Sequence, residues 1–129
     1  MSHRIVYDPY GLLDAELPLD REPNLQLAKM VLNLKPGVLP TCDLAQIALQ
    51  LTGHARAVAD DVRRRHEDLP PDSGARALTD VVLGEATRRL SVRPYGTLAC
   101  AVNRARLVKA LYERLDALSE PLDVGEAQD

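Results

Sequence analysis

The sequence of 129 residues contains no tryptophan and no phenylalanine, and its aromatic residues are four tyrosines. Without large aromatic rings, the core must be built from aliphatic side chains, and here these are mainly leucine, alanine and valine. Leucine and alanine lose little side-chain freedom in a helix. Strand patterning is almost absent as well, so the composition predicts an all-helical fold.

Long apolar runs and a basic excess are also lacking. No stretch reaches the roughly 18 consecutive apolar residues of a membrane span, so we expect no membrane partner. The formal net charge of -3 argues against a general nucleic-acid or anionic-membrane binder, and we expect no direct nucleic-acid partner. The first residues show no apolar region of a signal peptide, which favours a cytoplasmic location.

Cysteine is scarce, with only Cys42 and Cys100 in the chain. Each lies near the predicted start of a helix, and in a cytoplasmic protein two such thiols are best interpreted as free and partly buried. A thiol at a helix start can become reactive. No basic triad surrounds either cysteine in the sequence, so a reactive role is the less favoured interpretation.

Prolines and glycines divide the chain into an irregular arm, four helical segments and a tail. Residues 1–23, rich in proline, are expected to form the arm, and the acidic residues 120–129 a flexible tail. Apolar residues spaced three and four apart predict helices over 24–34, 41–66, 74–92 and 98–119. The predicted N-terminal caps are Asn24, Thr41 or Asp43, a residue of 72–74, and Thr97.

Short connections between the three longer helices predict their arrangement. A chain that turns within a few residues must reverse, so helices adjacent in sequence should lie antiparallel. We therefore predict one domain over residues 24–119, an antiparallel bundle of three long helices plus a short N-terminal helix. The arm should pack on the remaining side of this bundle.

Known catalytic and metal-binding motifs are absent from the sequence. His3, His54 and His66 lack the spacing of metal ligands, and there is no phosphate-binding loop. The basic run over 63–66 is flanked by acidic residues and has no interleaved aromatics, which favours a solvated helix end. We predict no catalytic residue, no metal ion and no cofactor.

A few polar residues lie on or beside the apolar faces of the predicted helices. Arg104 falls within the apolar face of the last helix, Glu85 and Arg89 flank that of the third, and His54 that of the second. A buried charge needs a partner, and Glu85 is the natural one for Arg104. The favoured interpretation is a structural ion pair. The alternative is a polar patch in a bundle groove that binds a small anion or acts as acid and base.

Three segments carry a family resemblance: Leu51-Thr52-Gly53-His54, Gly84-Glu85-Ala86-Thr87-Arg88-Arg89-Leu90 and Ala105-Arg106-Leu107-Val108-Lys109. Through them, residues 24–118 resemble a family of short actinobacterial proteins with an uncharacterised domain, often labelled a natural product biosynthesis protein. The resemblance implies a helical cytoplasmic protein found beside specialised-metabolism genes, without an established catalytic residue. It also adds Arg106 to the candidate site.

Our leading hypothesis is a non-enzymatic accessory or protein-interaction protein of actinobacterial specialised metabolism, which binds another protein or a second copy of itself. The alternative is a small-molecule-binding protein or enzyme whose site contains His54, Glu85, Arg89, Arg104 and Arg106. A weaker alternative is the partner of a DNA-binding regulator. Convergence of the candidate side chains on one cavity would favour the small-molecule site.

Overall fold

The computed structural model describes residues 20–119, and this part of the chain contains four α-helices and no strand. The helices are α1 (Arg21–Leu32), α2 (Thr41–His66), α3 (Gly74–Leu90) and α4 (Leu98–Ser119). The predicted all-helical class is confirmed for these residues. Residues 1–19 of the predicted arm and the whole predicted tail, 120–129, lie outside the described residues.

Helix α1 begins at Arg21, earlier than the predicted start at Asn24. Pro23 was expected to precede the helix, but it lies within the first turn. There the missing N–H costs no hydrogen bond, because the first N–H groups of a helix have no intrahelical acceptor. Asn24 is therefore not the cap, and its side-chain amide donates to the carbonyl of Asp20 at 2.9 Å.

The start of α2 also differs from the prediction in its cap. Pro40 is the N-cap residue, and no side chain accepts a hydrogen bond there. Its extended backbone (φ -71°, ψ 162°) already has the conformation that precedes a helix, so neither Thr41 nor Asp43 acts as cap. Asp43 lies in the first turn instead, where its charge interacts favourably with the helix dipole.

Helices α3 and α4 begin with the predicted side-chain caps. The hydroxyl of Ser73 accepts from the backbone N–H of Arg76 at 3.1 Å, and that of Thr97 accepts from the N–H of Cys100 at 3.1 Å. Each bond satisfies one of the N–H groups that a helix start leaves without an acceptor. Ser73 thus ends the connection between α2 and α3, and Thr97 ends the connection between α3 and α4.

Aliphatic side chains from all four helices form one hydrophobic core. Helices α2 and α4 share the most extensive interface, and both bury alanines completely at core positions. Small side chains at a contact let two helix axes approach closely. The largest wholly buried aliphatic side chains are Val31 on α1, Leu51, Val58 and Val62 on α2, and Val108 and Leu111 on α4.

Two polar contacts between α2 and α3 join the end of α2 to the first half of α3, and the middle of α2 to the end of α3. Nε2 of His66, at the end of α2, lies 2.7 Å from the carboxylate of Asp80 near the start of α3. Arg56, in the middle of α2, donates to the carbonyl of Leu90 at the end of α3 at 3.2 Å. This is the order expected for antiparallel neighbours, and it places the end of α3 beside the middle of α2.

Candidate functional site

An open pocket of about 530 Å³ lies between the C-terminal half of α3 and the first turns of α4. Cationic side chains outnumber anionic ones in its wall, because it contains three arginines and one glutamate. The short connection between the helices contributes part of the rim. The lining residues are Glu85, Arg88, Arg89, Val92, Tyr95, Ala99, Cys100, Asn103 and Arg104.

Arg104 is the buried cation of this pocket, with 3% of its surface exposed. Its Nε donates to the Thr52 hydroxyl at 2.9 Å, and Nη1 donates to Oδ1 of Asn103 at 2.7 Å. Nη2 donates to the backbone carbonyl of Val92 at 2.6 Å. All three acceptors are neutral, so Arg104 joins α2, α4 and the end of α3 without meeting a carboxylate among residues 20–119.

The charge of Arg104 is therefore incompletely compensated. Burial lowers its pKa, and the nearby positive charges of Arg56 and Arg89 lower it further. A guanidinium nevertheless stays protonated in proteins. Three of its five N–H groups donate in the bonds above, which leaves one on each terminal nitrogen without an acceptor among the described residues. An anion in the pocket would stabilise this group.

The expected ion pair between Glu85 and Arg104 is not formed. The Glu85 carboxylate instead accepts from Nε of Arg89 at 2.7 Å and from the guanidinium of Arg88. Residues three and four positions apart on a helix are close neighbours, so this pairing needs little additional ordering of side chains. Arg104 is meanwhile directed to the carbonyl of Val92, beyond the end of α3.

The five candidate residues thus separate into two groups. Glu85, Arg89 and Arg104 line the pocket, whereas His54 and Arg106 do not. His54 is buried in the core, with its Nε2 2.6 Å from the Tyr112 hydroxyl. Arg106 is exposed on α4. Three side chains from two helices therefore converge on one cavity, as the small-molecule interpretation requires, but the whole predicted set does not.

Cys100 belongs to the site although the sequence did not single it out for the pocket. Its thiol is 6% exposed, and its sulfur accepts from the backbone N–H of Tyr95 at 3.5 Å. The sequence shows no basic triad around either cysteine, and the structure places Cys100 in the same pocket as three arginines. Two of them lie on α3, so local sequence around Cys100 could not reveal them. The one available signal was the four-residue spacing to Arg104, which places both on one face of α4.

The carboxylate in the pocket forms ion pairs within its own helix. Glu85 is held by the guanidinium groups of Arg88 and Arg89. Among residues 20–119, no group of three His, Cys, Asp or Glu side chains is placed to hold a metal ion.

The fold and the site define an all-helical protein with a cationic pocket between two helices. The chain belongs to DUF6415, a family of unknown function whose model matches residues 25–120. No curated protein and no solved structure matches it. The match has nearly the same extent as the resemblance noted over residues 24–118. It gives no support to an actinobacterial origin or to a natural-product label.

None of the helices over residues 20–119 is long and apolar enough to span a bilayer.

Proposed function

We propose that this protein is a non-enzymatic accessory protein that binds a small organic anion in the pocket between α3 and α4. The observation that carries the proposal is Arg104, a buried cation in the pocket wall whose three acceptors are all neutral. A carboxylate or phosphate oxygen at its remaining N–H groups would supply the missing counter-ion. The planar guanidinium fork is well suited to such groups.

Other pocket residues complete a plausible binding mode. Asn103 accepts from Arg104 through Oδ1, and its amide N–H groups, which donate to no other described residue, can bind an anion. Arg88 and Arg89 are partly neutralised by Glu85 and add long-range attraction for an anion. Val92 and Tyr95 are exposed at the pocket and supply apolar surface for the body of the ligand.

The test is a titration of the folded protein with benzoate and phenyl phosphate, followed by NMR chemical shifts or calorimetry. We expect shifts at residues 85–104 and a Kd that increases about tenfold or more in Arg104→Met, because a charge-assisted hydrogen bond contributes about 1.5–3 kcal/mol. Arg106→Met is the matched control, since it removes an exposed arginine of the same helix outside the pocket.

Arg104 also anchors Val92, so each variant is checked by thermal unfolding before its Kd is interpreted. Should Arg104→Met unfold, Arg89→Met replaces it, because Arg89 lies on the partly exposed wall of the pocket. The proposal is rejected if neither anion binds, or if Arg106→Met weakens binding as much as the pocket variants do.

A second candidate function is self-association, which continues the interaction hypothesis. Leu78 and Val81 on α3 are 52% and 68% exposed, and a groove of about 310 Å³ lies beside Leu78. A second copy of the chain could cover both side chains. Glu113 and Arg114 line the same groove, and across a two-fold axis the carboxylate of one copy can meet the guanidinium of the other. Light scattering of wild type and Val81→Glu over a concentration series tests this; a monomer at every concentration rejects it.

We also propose the antiparallel arrangement of the helices, the cytoplasmic location and the role in specialised metabolism. The antiparallel bundle over residues 24–119 is supported by the reversed contacts between α2 and α3. A cytoplasmic location is supported by two free thiols, Cys42 and Cys100. The role in actinobacterial specialised metabolism rests on the sequence resemblance alone.

A further inference from the structure

The two cysteines of this protein lie in opposite electrostatic environments. Cys42 is exposed at the start of α2, and its sulfur lies 3.8 Å from the carboxylate of Asp43. Cys100 is buried at the start of α4 and lines the pocket that contains three arginines. Since both lie in the first turn of a helix, the helix terminus does not distinguish them. The surrounding charges do.

The pocket gives Cys100 the surroundings of a thiol that reacts with anionic molecules. Cationic neighbours and a helix N-terminus are the environment of reactive cysteines in general. The backbone N–H of Tyr95 donates to the Cys100 sulfur at 3.5 Å, so a residue at the pocket contacts the thiol.

A second and independent observation indicates the charge of the incoming molecule. Arg104, 3% exposed, lines the same pocket, meets no carboxylate among the described residues and retains N–H groups without acceptors. A molecule that places a carboxylate at Arg104 and a disulfide bond at Cys100 would use both features at once. The two residues are one helical turn apart, about 6 Å along α4, which a small organic molecule can span.

We infer that Cys100 is a thiol–disulfide exchange site for low-molecular-weight disulfides that carry a carboxylate. The inference rests on the proposed anion pocket. It adds a covalent step to that pocket, by which the protein would take up half of its ligand reversibly.

The step balances without any further reactant. Cys100 loses its proton to water, and its thiolate attacks one sulfur of the disulfide. The S–S bond of the small molecule breaks, and its other half leaves as a thiolate that takes up a proton. Cys100 is oxidised to a mixed disulfide and the leaving half is reduced to a thiol. The carboxylate of the attached half stays beside Arg104.

The experiment compares the two cysteines with two reagents of different charge. Cys42→Ser leaves Cys100 as the sole thiol, and Cys100→Ser leaves Cys42. Each folded variant is treated with the dianionic aromatic disulfide dithiobis(nitrobenzoate) and with neutral dithiodipyridine, and rates are measured by absorbance and by intact mass. The neutral reagent corrects for the lower accessibility of Cys100.

For each cysteine we compare the rate with the anionic reagent to the rate with the neutral one. We expect this ratio to be about tenfold or more higher for Cys100 than for Cys42, which is a modest increase for electrostatic attraction of an anion. The ratio should fall when salt is raised, because exposed charges are screened. It should also fall in Arg104→Met and in Arg89→Met, each combined with Cys42→Ser, and stay unchanged with Arg106→Met. Two pocket variants on different helices keep the test valid if one of them fails to fold.

Equal ratios for the two cysteines, or a Cys100 that reacts only after unfolding in urea, would overturn the inference. Titration of Cys100→Ser with benzoate separates this failure from that of the proposed function. If benzoate still binds there while exchange is unselective, the anion pocket stands and only the covalent step is rejected. If benzoate does not bind to wild type either, the proposed function fails as well.

Discussion

The two ends of the interface between α3 and α4 are built by the same pair of helices and have opposite chemistry. Where the end of α3 meets the start of α4, the wall contains Arg88, Arg89 and Arg104. Where the start of α3 meets the end of α4, the groove is mainly apolar and contains Leu78 and Val82. Helices α3 and α4 both contribute buried residues to the core.

The difference follows from the side chains at the two openings. The C-terminal end of α3 presents carbonyl groups, which attract cations. Arg56 and Arg104 donate to the carbonyls of Leu90 and Val92, and so bring positive charge to this end. The other opening also contains a helix C-terminus, that of α4, but its lining is mainly apolar and is suited to another protein surface. The comparison therefore separates the proposed site for a charged small molecule from the proposed surface for a protein.

The largest effect is expected from Gly96→Ala, in the connection between α3 and α4 that borders the cationic end. A Cβ at Gly96 would lie 2.6 Å from Cγ2 of Thr41 and 2.8 Å from the Thr41 carbonyl oxygen. The methyl group can rotate away, but the backbone oxygen cannot, so the α3–α4 connection must shift. We expect a loss of about 1–3 kcal/mol, measured by urea unfolding, and a weaker affinity for benzoate. Unchanged stability would mean that this contact is not close in solution.

A smaller effect is expected from Glu85→Gln. This variant removes a negative charge from the pocket and so increases the difference in charge between the two openings. Glu85 is the only carboxylate among the lining residues and neutralises part of the charge of Arg88 and Arg89. Its removal should tighten anion binding by about 1 kcal/mol, roughly fivefold. Calorimetry at low salt measures this change. If Glu85 contacted the ligand directly, the affinity would fall instead.

Gly84→Ala should stabilise the protein by about 0.5–1 kcal/mol, since alanine loses less freedom than glycine in a helix. A Cβ at Gly84 meets no atom within 4 Å, in contrast to Gly96. The measurement is thermal unfolding of the two alanine variants side by side. The two glycines of the same region should respond with opposite sign. A loss of stability in Gly84→Ala would indicate that its side is covered in solution.

The smallest effect is expected at the pair of Arg21 and Asp116. Unlike Arg104, Arg21 is bound to a carboxylate. Arg21 donates to Asp116 at 2.8 and 2.5 Å, and its guanidinium lies 4.4 Å from the ring centre of Tyr112. The hydrogen bonds from Arg21 lower the pKa of Asp116. The stabilisation is therefore complete above the ordinary carboxyl pKa of 3.8 and is lost as pH falls through the lower folded-state value.

Because this pair is exposed, we expect Asp116→Asn to cost at most about 1 kcal/mol at neutral pH. Urea unfolding of wild type and variant between neutral pH and acid should give curves that converge as the pH falls. Curves that stay parallel at low pH would show that the effect of the variant does not come from the charge of Asp116.

Local patterns in the sequence predicted four helices where the structure has them, with some of their ends displaced. The apolar spacing predicted the length of α2 but not its cap, which is Pro40, whereas Ser73 and Thr97 cap α3 and α4 as expected. The start of α1 was wrong because Pro23 is tolerated in a first turn. Cap and breaker rules involve residues within one turn of each other, so a single sequence contains the information they need.

The site required more than local pattern. The helical wheel placed Arg104 in an apolar face, and burial followed, but its partners could not be read from the sequence. Thr52 and Val92 reach Arg104 from another helix and from a connection, and the expected partner Glu85 is bound within its own helix. The same holds for Cys100, whose cationic neighbours come mainly from α3.

The sequence by itself determined the all-helical class of the described residues and the number and approximate extent of their helices, because helix formation and termination depend on neighbouring residues. Only the tertiary structure decided that Arg104 lacks a carboxylate and that Cys100 shares its pocket. The physical reason is that the position of a charge relative to its partners depends on how helices distant in sequence pack. Electrostatic interactions in the interior vary steeply with that distance and with burial.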